Sequence, residues 1–249
     1  MKPWCAWALL LVALGASSAE PVQKPIHFRA HARVALDAQG VPQRVEVDQK
    51  LPGVVRTAIE EQVMRWRFEP AQVGGRAHAG ATTVFVDACA APAAGGNMRL
   101  AVDYGWNGPG YADGRYYAPA PRYPIDAAKR GKVGMFRVLM KIGTDGRASV
   151  DTIEVQKGEL RLFDAALRTW AASLRYIPEE VDGAPVATRV AIPVDFSMEG
   201  GALSWRQQAR QEREAGRRSP ECMAAMGGDQ DEAPRPVVLD SPFKPITTS

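Results

Sequence analysis

Apolar and polar residues alternate in the first part of the chain that carries a clear pattern. Residues 28–36 place an apolar side chain at every second position, with basic residues between them, which is typical of a half-buried strand. Turn-forming residues 37–40 lead into a second extended run, 41–47, so the two runs predict a hairpin. Apolar residues at three- and four-residue spacing predict a helix over 52–66, and the β-branched run 82–86 predicts a further strand.

The second half of the chain repeats this order of elements. Alternation over 136–142, a turn at 144–146 and a β-branched run over 150–155 predict another hairpin. A helical stripe over 163–174 and an extended run over 190–196 follow. The order strand, strand, helix, strand therefore occurs twice.

Two similar decapeptides occupy matching places in the two halves. RFEPAQVGGR (67–76) and RYIPEEVDGA (175–184) share an Arg, an aromatic residue, a Pro, a Val and a Gly at the same positions. We expect the aromatic residue to pack the helix on the sheet, the Pro to end the helix and the Gly to turn the chain into the last strand. The decapeptide then marks the helix-to-strand joint of a duplicated unit.

These elements predict an α+β protein with two small modules. Residues 20–89 and 121–198 each hold an antiparallel hairpin, a helix and a third strand. Segment 90–120 is rich in Gly, Pro and Tyr, which predicts a linker. Segment 199–249 is expected to contain a polar, Arg-rich helix followed by a disordered tail.

The N-terminus has the composition of a secretory signal peptide. An apolar stretch over residues 4–16 follows Lys2, and small residues precede Glu20, which predicts cleavage after Ala19 and loss of residues 1–19. The alternative is an uncleaved membrane anchor, although the apolar stretch is shorter than the about 20 residues that a spanning helix needs.

Cleavage after Ala19 would leave Cys89 and Cys222 as the cysteines of the mature chain. In an oxidising compartment these two thiols could form a disulfide. The alternative is two unrelated thiols, since Cys222 lies in the segment expected to be disordered.

Charge and candidate chemistry exclude several classes of function. The 31 Lys and Arg against 28 Asp and Glu leave a net charge of +3, too small to indicate binding to nucleic acid. The three histidines lack a neighbouring ligand set, and the paired glutamates are adjacent along the chain rather than converging. No nucleophile or nucleotide motif is present. We therefore predict no metal, no cofactor and no enzymatic activity.

Residues Pro121 to Met198 resemble the C-terminal domain of the TonB family. PRYPIDAAKRGKVG (121–134) follows the family's opening pattern P-x-Y-P-x-x-A-x-x-x-G-x-x-G, and the sequence PVDF (193–196) matches its end. The matching positions that the resemblance implies to be structural are Tyr123, Pro124, Gly134, Gly146, Tyr176, Pro178, Gly183 and Pro193. The first module resembles the same family more loosely, without the opening Y-P segment, and is interpreted as a divergent copy.

The resemblance implies a binding site at the edge of the sheet. In this family a short antiparallel sheet accepts an extended segment of a transporter as an added strand. The corresponding edge residues here are Val190, Ala191, Ile192, Val194, Asp195 and Phe196. Pro193 favours an edge position because proline lacks the N–H that a central strand needs, although an edge proline also serves simply to prevent aggregation.

By this resemblance we expect a periplasmic, non-enzymatic protein that binds an outer-membrane receptor or another envelope protein, with a link to TonB-dependent transport across the outer membrane. Membrane contact would then occur only through partners, and a homodimer remains open. The alternative is a membrane-anchored energy transducer that couples the inner-membrane proton motor to outer-membrane receptors, with the N-terminus uncleaved.

Overall fold

A computed structural model describes residues 24–197, 219–226 and 235–248. The predicted signal peptide and the predicted Arg-rich helix after Met198 lie outside the described residues.

The first half of the chain forms a hairpin, a helix and a series of strands. The hairpin and helix are β1 (Ile26–Leu36), β2 (Pro42–Val47) and α1 (Gly53–Arg65). Three short strands follow: β3 (Arg67–Glu69), β4 (Ala71–Val73) and β5 (Arg76–His78). The half ends with β6 (Gly80–Pro92), β7 (Met98–Gly108) and β8 (Gly110–Tyr111).

The second half has the same order of elements after an additional short helix. Its first elements are α2 (Ile125–Lys129), β9 (Gly134–Ile142), β10 (Ala148–Lys157) and α3 (Asp164–Ser173). The remaining strands are β11 (Tyr176–Ile177), β12 (Glu179–Val181), β13 (Ala184–Val186) and β14 (Thr188–Phe196). The described part of the C-terminal segment, which we call the tail, adds α4 (Pro220–Met226), β15 (Val237–Val238) and β16 (Lys244–Thr247).

Both halves pair their three main strands in the same antiparallel order. The first has β1 between β2 and β6, and the second has β9 between β10 and β14. The alternating segments are strands because one face of each is buried, as in β9, where Phe136, Val138 and Met140 are fully buried. The predicted hairpins, helices and third strands are therefore confirmed, and the fold is mixed α+β.

Each half packs its helix against one face of its sheet and so forms a core. The N-terminal core includes Val34, Val55, Ile59, Val63, Trp66, Phe68, Val84 and Val86. The C-terminal core includes Phe136, Val138, Met140, Phe163, Leu167, Trp170, Val190 and Ile192.

The repeated decapeptides make the same backbone contact in the two halves. The Phe68 N–H donates to the Gly40 carbonyl at 3.0 Å, and the Tyr176 N–H donates to the Gly146 carbonyl at 2.8 Å. Both glycines have φ 73°, and a Cβ on Gly146 would lie 2.1 Å from the Tyr176 carbonyl oxygen. Glycine is required here for both conformation and close approach.

The arginine of each decapeptide, rather than its proline, satisfies the end of the preceding helix. Arg67 donates to the Trp66 carbonyl at 2.7 Å, and Arg175 donates to the carbonyls of Ala172 and Leu174 at 2.7 and 2.8 Å. Because the helices end at Arg65 and Ser173, before Pro70 and Pro178, the expectation that proline ends the helix is wrong. Cationic side chains satisfy the unpaired carbonyls of a last helical turn.

Segment 90–120 was predicted from its composition to be a linker, but it contains a long paired strand. Strand β7 pairs with β6 from Thr83↔Gly108 to Pro92↔Met98. Its Trp106 stacks on Phe85 with ring centroids 4.5 Å apart, and both rings are buried. Gly105, one of the glycines that suggested a linker, instead allows β7 to lie close to β6. A Cβ on Gly105 would lie 2.8 Å from the Phe85 carbonyl oxygen.

Strand β6 contributes to both cores. Val84 and Val86 belong to the N-terminal core, whereas Phe85 between them belongs to the C-terminal core. Strand β12 of the second half also pairs with the start of β6, at Glu180↔Ala81 and Val181↔Gly80. Strands β12 and β13 of the second half therefore belong to the six-stranded sheet of the first half, whereas β10, β9, β14 and β15 form a separate sheet.

The described part of the tail is also ordered, against the prediction of disorder. β15 pairs with β14, β16 pairs with β3, and the Phe243 ring is fully buried in the N-terminal core. A disulfide joins Cys222 of α4 to Cys89 of β6, with their Cα atoms 4.9 Å apart. The tail stays folded by contacts with distant strands, which its composition does not reveal.

Candidate functional site at the outer edge of β14

The outer edge of β14 is the side that faces away from β9. The Arg189 carbonyl accepts the Leu239 N–H at 2.9 Å, and the Arg189 N–H donates to Asp240, so the backbone groups of residue 189 point to this side. Because successive residues of a strand direct these groups to opposite sides, those of Ala191, Pro193 and Asp195 also point outward. The missing N–H of Pro193 therefore falls on the outer edge, where it breaks no bond to β9.

This alternation divides the six residues predicted for the edge. Val190, Ile192, Val194 and Phe196 direct their backbone groups toward β9. Their side chains are buried in the C-terminal core. Only Ala191 and Asp195 of the predicted set present a backbone donor and acceptor to the outer side.

The tail covers the first part of this edge. β15 lies antiparallel to β14 in the register Val190↔Val238 and Ala191↔Val237. The Val238 side chain lies over Gly108 of β7, where an added Cβ would be 2.7 Å from Val238 Cγ2. Gly108 thus leaves room for a branched side chain on the added strand.

A carboxylate completes the contact between tail and edge. Asp240 Oδ1 accepts the Arg189 backbone N–H at 2.5 Å, and Oδ2 accepts Arg189 Nε at 2.7 Å. This hydrogen bond and the negative charge of Asp240 raise the pKa of the Arg189 guanidinium, which therefore stays charged. Both side chains are partly open to solvent, so their pairing is weaker than that of a buried ion pair.

The rest of the edge lacks a paired strand within the described residues. Beyond Ala191, β14 has no partner on its outer side in 24–197, 219–226 and 235–248. The outward groups there are the Pro193 carbonyl and the N–H and carbonyl of Asp195. Partial burial raises the pKa of the Asp195 carboxyl, and the nearby Lys157 ammonium opposes this.

Several residues that match the family pattern have structural roles in the second half. The Tyr123 hydroxyl donates to the Lys132 carbonyl at 2.6 Å, and its ring packs edge-on against Phe196 with centroids 5.4 Å apart. A Cβ on Gly134 would lie 2.5 Å from the Phe136 ring. Asp182 and Gly183 both have positive φ in the turn from β12 to β13, as the predicted turn requires.

A buried carboxylate holds the tail next to the edge. Glu179 is fully buried, and its oxygens accept the hydroxyls of Thr82 at 2.7 Å, Ser241 at 2.7 Å and Thr188 at 3.1 Å. Asn107 extends the network by donating to Ser241 and to the Phe243 carbonyl. Both halves and the tail therefore meet at one carboxyl group.

Burial raises the pKa of Glu179, although the three hydroxyl donors and the Arg33 charge oppose the shift. The folded chain thus holds the proton more tightly than the unfolded chain. The stability that this provides is fully present below the ordinary pKa of 4.5 and is lost as pH rises through the raised value.

We therefore expect Glu179→Gln to become more stable relative to the unmodified chain as pH rises from about 4.5 toward 7. The neutral amide avoids the cost of ionisation and still offers an oxygen to the hydroxyls. Chemical denaturation across this pH range measures the difference in unfolding free energy. Glu61→Gln, which removes an exposed carboxylate, is the control; a Glu179→Gln difference no more pH-dependent than that of the control would contradict the assignment.

The equivalent edge in the first half is covered along its length. The outer side of β6 pairs with β12 at residues 80–81 and with β7 at residues 83–92. Of the two corresponding edges, only that of β14 has an open part among the described residues.

Other candidate groups have structural partners. His27 Nε2 lies 2.8 Å from Asp87, and His78 Nδ1 lies 2.5 Å from Asp182. The described ranges contain no cluster of three or more potential metal ligands. None of the helices in the described part of the chain has the length and apolar character of a membrane-spanning segment.

Sequence reasoning missed the residues that hold the tail on the edge: Gly108, Arg189, Val238 and Asp240. Arg189 lies one residue before the predicted edge, and Gly108 lies in the segment interpreted as a linker. Two adjacent valines between prolines, in PRPVVLDSP, are compatible with a short edge strand and were the only local signal.

Residues 119–198 match the family model described as Gram-negative bacterial TonB protein C-terminal. The match confirms the resemblance for this segment and contains the whole of β14. It covers less than half of the chain, and the first half lies outside it. No curated protein matches the chain.

Proposed function

We propose that this protein binds an extended segment of an envelope protein as an added strand along the outer edge of β14. The role is non-enzymatic, lies in the periplasm and is linked to TonB-dependent transport, with an outer-membrane receptor as the expected partner. The match of residues 119–198 to the TonB C-terminal family supports the link to transport.

The observation that carries the proposal is the geometry of this edge. Its outward backbone groups already pair with one antiparallel strand, β15, and they continue past it to Asp195. Unpaired groups at a sheet edge are the usual site for an added strand.

We further propose that the first half is a second, divergent unit of the same type. Both halves share the strand order and the joint between Gly40 and Phe68 or between Gly146 and Tyr176. In the first unit the corresponding edge holds β7, which leaves binding to the second unit.

A proline at position 195 tests the proposal. Asp195→Pro removes the carboxylate and an outward N–H but no bond to β9, so the fold is expected to persist. Loss of one backbone hydrogen bond should weaken binding of a transporter-derived peptide about fivefold. Fluorescence anisotropy with labelled N-terminal peptides of outer-membrane transporters measures the affinity.

Asp195→Ala is the matched control, since it removes the carboxylate but keeps the N–H, and its affinity should equal that of the unmodified chain. Hydrogen exchange should also show that the Asp195 amide is protected when peptide is bound. Equal affinity of the proline and alanine variants, or an unprotected amide, would contradict strand addition.

A further inference from the structure

Residues Val237–Asp240 of the tail, which include β15, show which side chains the edge of β14 accommodates. Val238 places a branched side chain over Gly108, and Asp240, two residues later, places a carboxylate on Arg189. Val237 and Leu239, on either side of Val238, are 47% and 39% exposed. The side-chain contacts of this segment with β14 and β7 are therefore made mainly by Val238 and Asp240, which lie two positions apart.

The uncovered part of the edge is too short for a stable ladder. Beyond Ala191, the outward groups of β14 up to Phe196 are one donor and two acceptors, because Pro193 lacks an N–H. A partner strand that makes more bonds than these must use residues 189–191, where β15 lies.

The covering segment can leave this position without detaching the rest of the tail. Arg235 on one side is bound to Asp87 at 3.0 Å, and Ser241 on the other is bound to Glu179 at 2.7 Å. Phe243 beyond it is fully buried. Only the short stretch between these anchors has to move, and its own ladder is two residues long.

We propose that Arg189 and Gly108 determine which strands bind. The partner is an extended peptide that runs antiparallel to β14 and carries a β-branched residue two positions before a carboxylate, and it replaces Val237–Asp240. This inference rests on the proposed function. The tail is then an internal competitor, present at high effective concentration because it belongs to the same chain.

Peptides copied from the tail test this selection on the purified chain. The probes are a labelled peptide PVVLDSP, which repeats residues 236–242, and its amide counterpart PVVLNSP. Asp240→Asn weakens the internal strand but keeps Arg189, so this variant should bind PVVLDSP about fivefold more tightly than the unmodified chain. Val238→Ala removes the contact of the same segment with Gly108, so this variant should also bind PVVLDSP more tightly than the unmodified chain.

Asp164→Asn is the matched control. Its carboxylate accepts Arg168 Nε at 3.0 Å on the surface of α3 and is exposed to the same degree as Asp240. This variant should bind PVVLDSP as the unmodified chain does. In the Asp240→Asn background, PVVLNSP should bind about fivefold more weakly than PVVLDSP, and Arg189→Gln should reduce that ratio.

The outcomes separate this inference from the proposed function. Equal binding of the two peptides in the Asp240→Asn background, with the Asp195 amide protected by transporter peptides, would overturn the selection by Arg189 and leave strand addition intact. If Asp240→Asn and Val238→Ala bound PVVLDSP with the same affinity as the unmodified chain, the proposal that the tail competes for the edge would be wrong. If neither these peptides nor transporter peptides protected β14, both proposals would be wrong.

Discussion

Replacement of Phe243 with alanine is expected to lower the free energy of unfolding by about 3–5 kcal/mol, the range for loss of a fully buried phenylalanine ring. The ring is 0% exposed, and it lies so close to Gly80 that an added Cβ there would be 2.5 Å from Phe243 Cζ. Its backbone also takes part in the network around Asn107 and Ser241. Truncation therefore leaves a cavity in the N-terminal core that the surrounding strands fill only in part.

Denaturation with urea, with the disulfide intact, measures this effect. Ile246→Ala is the control within the same tail, because its side chain is 63% exposed and its loss should change stability by less than about 0.5 kcal/mol. Similar unfolding midpoints for the two variants would mean that Phe243 is not packed as described.

Removal of the disulfide between Cys89 and Cys222 is expected to lower stability by about 2–5 kcal/mol. The two cysteines are 133 residues apart, so the bond closes a long loop and restricts the unfolded chain strongly. It also fixes α4 against β6 and β7, where Ser219 binds Asp103 at 3.0 Å. Both the entropy of the unfolded chain and the position of the tail thus depend on this bond.

The variant Cys89→Ala/Cys222→Ala separates the bond from other effects of reduction. A reductant should destabilise the unmodified chain by about the same amount as the double substitution, within the range for a long loop. The same reductant should leave the double variant unchanged. If reduction released both thiols but did not lower the stability of the unmodified chain, the expected contribution of the disulfide would be wrong.

Much of the fold followed from local patterns in the sequence. Alternation over 28–36 and 136–142 predicted β1 and β9, because one face of each strand is buried and the other is polar. The repeated decapeptide located the joint after each helix. Its arginine was overlooked, since a helix-capping role depends on where the helix ends, and helix ends are poorly defined by pattern alone.

The missed elements depend on contacts between distant residues. β7 contains Gly105 and Gly108, which weaken the strand signal, and it is stable because it pairs with β6 from Thr83 to Pro92. β15 has only two residues, too few to show a period. The outer edge of β14 was located from Pro193 and the resemblance, but the strand that covers it, and the role of Arg189, required the three-dimensional structure.

The burial of Phe243 in the N-terminal core has a consequence for the order in which the chain folds. Phe243 belongs to a core whose other buried members begin at Ala30, so the first half cannot reach its final packing until residue 243 has been synthesised. Pairing of segments so far apart in sequence is slow, because the loop between them must close before the contact stabilises it. The packing of the N-terminal core is therefore expected to be completed only after residue 243 has been synthesised, later than the pairing of β1 with β2.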